Sequence, residues 1–167
     1  MTRSEHREAQ EERLKRLFDR RRVAQLDELR RALSTSGRTV LRVLGRMGYL
    51  TSYRHAGGYY TLRAIPSFDE RGLWFYHRVR FSSHGTLRAT VVFLVEQAAA
   101  GYTHEELEVL LGLRVQDTLR SLVRASEIGR ESVDAVYVYV HRDQERAASQ
   151  LRRRRAAVTE PPPREPN

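Results

Sequence analysis

The chain has 167 residues, 40% of them apolar, a formal net charge of +9 and no cysteine. Such a composition belongs to a folded chain of one mid-sized or two small domains, and it excludes disulfides, cysteine-based zinc sites and thiol catalysis. The longest apolar run, around Thr90–Val95, ends at Glu96 and falls short of the roughly 18 residues that a membrane span needs. The N-terminus is highly charged and lacks the apolar core of a secretory signal, so a cytoplasmic protein is expected, nucleoid-associated if the source is bacterial.

The charge is unevenly placed: residues 1–63 carry +8, residues 64–143 carry −2 and residues 144–167 carry +3. Basic charge gathered in one third of a chain points to a polyanionic partner more strongly than the bulk charge does. Of the 30 basic residues 29 are arginine, which a GC-rich genome would produce by itself, so placement carries the argument.

Residues 4–20 read as a helix, with Leu14, Leu17 and Phe18 on one stripe and Arg20, Arg21 and Arg22 at the C-terminal end, where they complement the helix dipole. Val23–Ala24 is a very short extended piece. Gln25–Leu33 is a second helix, with Leu26, Leu29 and Leu33 inward and Asp27 and Glu28 in its first turn. Ser34–Thr35 is a tight turn, and SGRTVLRVLGRM, residues 36–47, is a third helix. Ser36 is its N-cap and Gly48 its stop. At about 100° per residue, Val40, Leu44 and Met47 share an apolar arc. Arg38, Thr39, Arg42 and Arg46 then fall opposite, within about 100° of one another. Guanidinium and hydroxyl groups in such a row suit phosphate oxygens and the acceptor edges of guanine; a solvated arginine-rich surface is the plainer alternative.

After Gly48 the period changes to that of strands. Tyr49–His55 and Tyr59–Arg63 flank Ala56-Gly57-Gly58 as a β-hairpin. Helix, short strand, helix, turn, helix and hairpin is an order in which residues 8–63 resemble the winged helix-turn-helix DNA-binding superfamily. The string GRTVLRVLGRMGYL is similar to its recognition helix running into the wing. The resemblance implies a third helix in the major groove of double-stranded DNA and a wing on backbone or minor groove. It places Ser36, Arg38, Thr39, Arg42 and Arg46 on the DNA from the helix, and Arg54 and His55 from the wing.

Residues 64–85 carry Phe68, Trp74, Phe75, Tyr76 and Phe81 and little of the composition of a flexible spacer. Aromatics at that density pack, so an ordered connector is expected. A stacking surface for single-stranded nucleic acid or RNA, with Arg78 and Arg80 on the backbone, is an alternative. From Thr86 the order restarts. Leu87–Ala100 is a helix, Thr103 and Glu106 form a capping box opening a helix to Gly112, and Val115–Ser126 is a third. Gly129–Glu131 and Ala135–His141 then bracket Ser132-Val133-Asp134 as a second hairpin. This half looks like a second winged helix. Its third helix presents Gln116, Arg120 and Arg124 but also Asp117, and Glu127 follows; its hairpin carries Glu131 and Asp134. Carboxylates there oppose phosphate binding, so this half is expected to serve assembly. Residues 143–157 are helix-compatible, end in Arg152-Arg153-Arg154-Arg155 and offer little beyond Leu151 for packing. The arginine run reads equally as a phosphate-seeking extension or a solvated tail. TEPPPREPN is expected to be disordered.

The fold class expected is therefore mainly α with small β-hairpin wings (α+β). The domains are 1–63, the connector 64–85, a second winged helix 86–142, and a basic extension and tail 143–167. The six histidines are scattered and no phosphate-cradling or nucleophile motif is present. No catalytic residue, metal or cofactor is expected, and the protein is not read as an enzyme. The expected function is DNA binding, for transcription regulation or as a mobile-element accessory factor, with a homodimer or protein partner engaged through residues 64–142. The reading of a different class is a tandem winged-helix scaffold that does not touch DNA.

Overall fold

A computed structural model of the chain describes residues 1–54 and 58–159, with backbone alone at 158 and 159. His55, most of the turn expected at 56–58 and the proline-rich end expected to be disordered lie outside the described residues. The described residues form a mixed α+β structure of seven helices and small antiparallel sheets. The chain divides into two compact units, Met1–Thr86 and Leu87–Asn167. No helix among the described residues is long and apolar enough to cross a membrane.

The first unit opens with α1 (Arg3–Arg21), started by a capping box in which the Thr2 hydroxyl accepts from the Glu5 amide and the Glu5 carboxylate accepts from the Thr2 amide. Strand β1 (Ala24–Gln25) follows, then α2 (Leu26–Leu33), ended by Ser34 in the left-handed conformation, and α3 (Gly37–Met47). Strands β2 (Tyr49–Thr51) and β3 (Tyr59–Leu62) complete a sheet in the order β1-β3-β2, with Ala24 opposite Tyr60 and Leu50 opposite Thr61. The short extended piece expected at Val23–Ala24 lies one residue later, because Ala24 and Gln25 are the pair that β3 meets. Leu14, Leu17 and Phe18 of α1, Leu29 and Leu33 of α2, and Val40, Val43 and Leu44 of α3 form the core. Val43 takes an inward place that the sequence pattern leaves open, while Met47 is only half-buried.

The aromatic stretch after β3 is a hairpin of the first unit. Strand β4 (Leu73–Tyr76) pairs with β5 (Val79–Ser82). Its entry is shaped by Asp69, whose carboxylate accepts from the amides of Arg71 and Leu73, and by Gly72, where an added Cβ would lie 2.3 Å from the Ser83 hydroxyl. Phe81 is buried with Trp74 opposite it, ring centroids 5.6 Å apart. Phe75 on the other face is exposed. The Tyr53 amide, at the exit of β2, donates to the Arg80 carbonyl and so joins the two hairpins.

The second unit holds α4 (Leu87–Gln97), α5 (His104–Leu111), α6 (Gln116–Arg124), β6 (Gly129–Val133), β7 (Val136–Val140) and α7 (Gln144–Thr159). It repeats the element order and pairing of the first. Tyr102 forms a single bridge to Tyr139, the counterpart of β1 against β3. Gly101 is required there, since it has φ +66° and an added Cβ would lie 2.6 Å from the Tyr139 carbonyl oxygen. The capping box at Thr103 and Glu106 is formed. Helix α4 stops three residues before the expected Ala100. The hairpin turn falls at Asp134–Ala135, both at positive φ, and not at residues 132–134, because Val133 is buried with Val138, Val140 and Leu151 and cannot leave the strand.

Helix α7 also departs from expectation, for it is packed rather than appended. Leu151 is buried against β7, and buried Gln150 accepts from the His141 amide while donating to the carbonyls of Val95 and Ala98. Arg154 donates to the carbonyls of Ala100 and Gly101 and to Glu106. Side chains of α7 thus satisfy the carbonyls left unpaired where α4 ends.

Candidate nucleic-acid interface

Helix α3 is positioned by its ends and by its buried arc. The Ser36 hydroxyl accepts from the Thr39 amide and lies 3.2 Å from the Thr39 hydroxyl, so both hydroxyls are engaged in the cap. At Gly37 an added Cβ would come within 3.2 Å of Leu26, which fixes how closely α2 and α3 meet. With Val40, Val43 and Leu44 inward, the residues turned to solvent are Arg38, Leu41, Arg42, Gly45 and Arg46. Arg38 and Arg42 enter no ion pair among the described residues, and α3 contains no carboxylate.

The four residues expected on the outer side of this helix differ in what they meet. Arg46 is exposed and stands one turn beyond Arg42 in the same groove, but its Nε lies 3.1 Å from Glu11 of α1, so its charge is already partnered. Thr39 is half-buried. Both lie on the side of the helix that buried Val43 shares, next to α1. There Thr39, Arg42, Val43 and Arg46 form one wall of a groove of about 440 Å³, and Arg3, His6, Arg7 and Gln10 of α1 form the other. Four arginines therefore face a single cleft, in which only Arg46 enters an ion pair among the described residues. The motif pattern gives the α1 wall no role, although the chain carries a signal for it. Residues 3–13 contain no large apolar side chain, so a helix there has no core to face, and a spacing of three or four residues aligns Arg3, His6, Arg7 and Gln10.

At the wing, Arg54 is exposed at the exit of β2. It is accompanied by two arginines from the other hairpin, in a pocket of about 220 Å³ lined by Ser52, Arg54, Tyr59, Arg78, Val79 and Arg80. The loop root is tied down by Ser52, whose hydroxyl donates to the Arg54 carbonyl and accepts from the Tyr59 amide. Tyr53 beside it is buried, and burial pushes its hydroxyl pKa up to about 12 against the opposing pull of Arg80.

The third helix of the second unit is differently furnished. Asp117 in its first turn lies 3.9 Å from Arg120. Arg88 of α4 donates to Ser121 of α6 and pairs with Glu127 at 2.7 Å. Carboxylates and a clamp from α4 thus surround α6, whereas α3 holds no carboxylate and its Arg38 and Arg42 enter no ion pair among the described residues.

No family model matches the chain, and no curated protein or solved structure is found to match it.

Proposed function

We propose that the chain is a double-stranded DNA-binding protein made of two winged-helix units in tandem. The first unit inserts α3 into the major groove, and the β2–β3 wing follows the backbone or minor groove. The second unit serves assembly, as a homodimer contact or a seat for a protein partner. The use that fits such a protein is transcription regulation or an accessory role for a mobile element, inside the cell.

The observation that carries this reading is the exposed pair Arg38 and Arg42 on a short helix without carboxylates, with Arg3 and Arg7 across the adjoining groove. Cations held on a rigid element and left unpaired gain most from meeting phosphates, because each neutralised phosphate releases condensed counterions. The order β1-β3-β2 behind the helix and its recurrence in the second unit support the winged-helix assignment. The carboxylates on and after α6 support assigning that half to protein contact.

The test is duplex affinity measured against salt concentration for the wild type and for Arg38→Ala/Arg42→Ala. The expected result is a steep salt slope that becomes shallower by roughly one unit for each phosphate no longer neutralised. Weak wild-type binding that the double substitution leaves unchanged would exclude DNA docking through α3 and favour the scaffold reading.

A further inference from the structure

Three arginines converge where the two hairpins of the first unit meet. Arg78, in the β4–β5 turn, and Arg80, on β5, are two residues apart and line one pocket. The bond from the Tyr53 amide to the Arg80 carbonyl sets Arg54 beside them. Among the described residues no carboxylate lines the pocket they form. Asp69, which acts on the neighbouring Tyr53, has its carboxylate already occupied by the amides of Arg71 and Leu73.

Arg80 is the fixed member of the three. Its guanidinium carbon sits 4.9 Å from the centre of the Phe75 ring, its cross-strand partner, a distance suited to a cation–π contact. Its Nε is shielded from solvent and has no hydrogen-bond partner among the described residues. A buried donor left unsatisfied is costly, and three like charges around one small pocket add to that cost. One oxyanion relieves both.

We infer that Ser52, Arg54, Arg78 and Arg80 form a binding site for a single phosphate group, supplied by the backbone of bound duplex. The source of the phosphate rests on the DNA reading above; the site itself does not. The β4–β5 hairpin is then a second arm beside the wing, and Phe75, although exposed, acts as the platform that holds Arg80.

Two measurements on the full chain test this. In the first, inorganic phosphate is titrated against sodium chloride at matched ionic strength while the arginine Nε–Hε resonances are followed by NMR. The Arg80 signal is expected to move with phosphate and not with chloride, and to stop moving in Arg54→Gln/Arg78→Gln. In the second, the salt slope of duplex affinity is compared between the wild type and the same variant. The slope is expected to fall by about one, and affinity at fixed salt by about ten-fold, the effect of removing one charge-assisted hydrogen bond. Both substituted side chains are exposed, so the thermal melt is expected to stay unchanged.

Movement of the Arg80 signal without any change in the duplex slope would keep the phosphate site and overturn the duplex as its source, assigning it to a free phosphate-bearing ligand. A still Arg80 signal together with an unchanged slope overturns the site. If the wild type binds no duplex at all, the DNA reading falls, and the phosphate titration decides the site without it.

Discussion

The two units share an order of elements and a pairing scheme, yet they complete their cores in opposite ways. The first adds a second hairpin, β4–β5, and leaves α3 with Arg38 and Arg42 turned to solvent. The second adds a helix, α7, and clamps α6 from α4 through Arg88 to Ser121 and Glu127. A small three-helix unit has surface to spare on one side only, and whatever closes the core decides which face remains available. In the first unit that face is cationic and open. In the second the corresponding helix carries Asp117 and adjoins Glu127, and its companion arginines are partly paired with them. Sequence similarity between the units would conceal this difference, because the element patterns agree and the partners of each charge do not.

The largest effect expected on this contrast comes from Gln150. It is buried and joins α7 to the His141 amide and to two carbonyls at the end of α4. Gln150→Ala leaves these three groups without that partner in a place water reaches poorly, each at about 1–3 kcal/mol, so a loss on the order of 3 kcal/mol is expected in denaturant unfolding. Removal that costs under about 0.5 kcal/mol would mean that α7 is the loosely attached extension its composition suggests, and that the second unit closes without it.

A smaller effect concerns pH at the same junction. Burial raises the Glu106 pKa, but the hydrogen bonds it accepts from the Thr103 amide and from Arg154 outweigh burial, and the net shift is downward. A carboxyl whose folded pKa is depressed contributes stability above its unfolded value, and that contribution is lost as pH falls through the folded value. Glu106→Gln is therefore expected to be less stable than the wild type at neutral pH, with the two stabilities converging below the ordinary glutamate range. The difference is modest because 45% of the Glu106 side chain is exposed. Parallel pH–stability curves would show that the Arg154 pairing adds nothing.

How far these features are legible in the chain depends on whether they are local. Ser36 as a cap, Gly48 and Gly112 as stops and the capping box at Thr103 are set by neighbours a few residues away, and the structure has each of them. Long-range partners decide the rest. Nothing near Arg46 in sequence announces Glu11, 35 residues earlier, so a helical wheel gives no sign that Arg46, unlike Arg38 and Arg42, is ion-paired. Gln150 and Arg154 read as solvated residues of a polar segment, since the carbonyls they satisfy lie more than 50 residues away. The aromatics of 73–81 signal packing correctly for Phe81 but give no sign that Phe75 faces outward under Arg80. Turn composition favours Ser132–Asp134 for the second hairpin, whereas burial of Val133 requires the strand to continue and moves the turn to Asp134–Ala135.

The smallest change in stability belongs to Gly45, and it isolates the outward face of α3 from the fold behind it. Gly45 lies in the helix with ordinary φ, and an added Cβ meets nothing within 4 Å. No backbone conformation and no neighbour asks for glycine, which costs a helix about 0.5–1 kcal/mol relative to alanine. Gly45→Ala is therefore expected to raise stability by up to about that amount. Glutamate forms helices nearly as well as alanine, so Gly45→Glu should keep much of the gain. It also sets a carboxylate about 20° around the helix from Arg38 and one turn beyond Arg42, on the face proposed to meet phosphate. Duplex affinity is then expected to fall by at least about ten-fold while the melting temperature does not fall. The same substitution made at Ser121, on the exposed side of α6, should leave duplex affinity unchanged, because that helix is assigned to protein contact. Equal losses at the two sites would mean that both third helices face DNA, and no loss at Gly45 would mean that neither does.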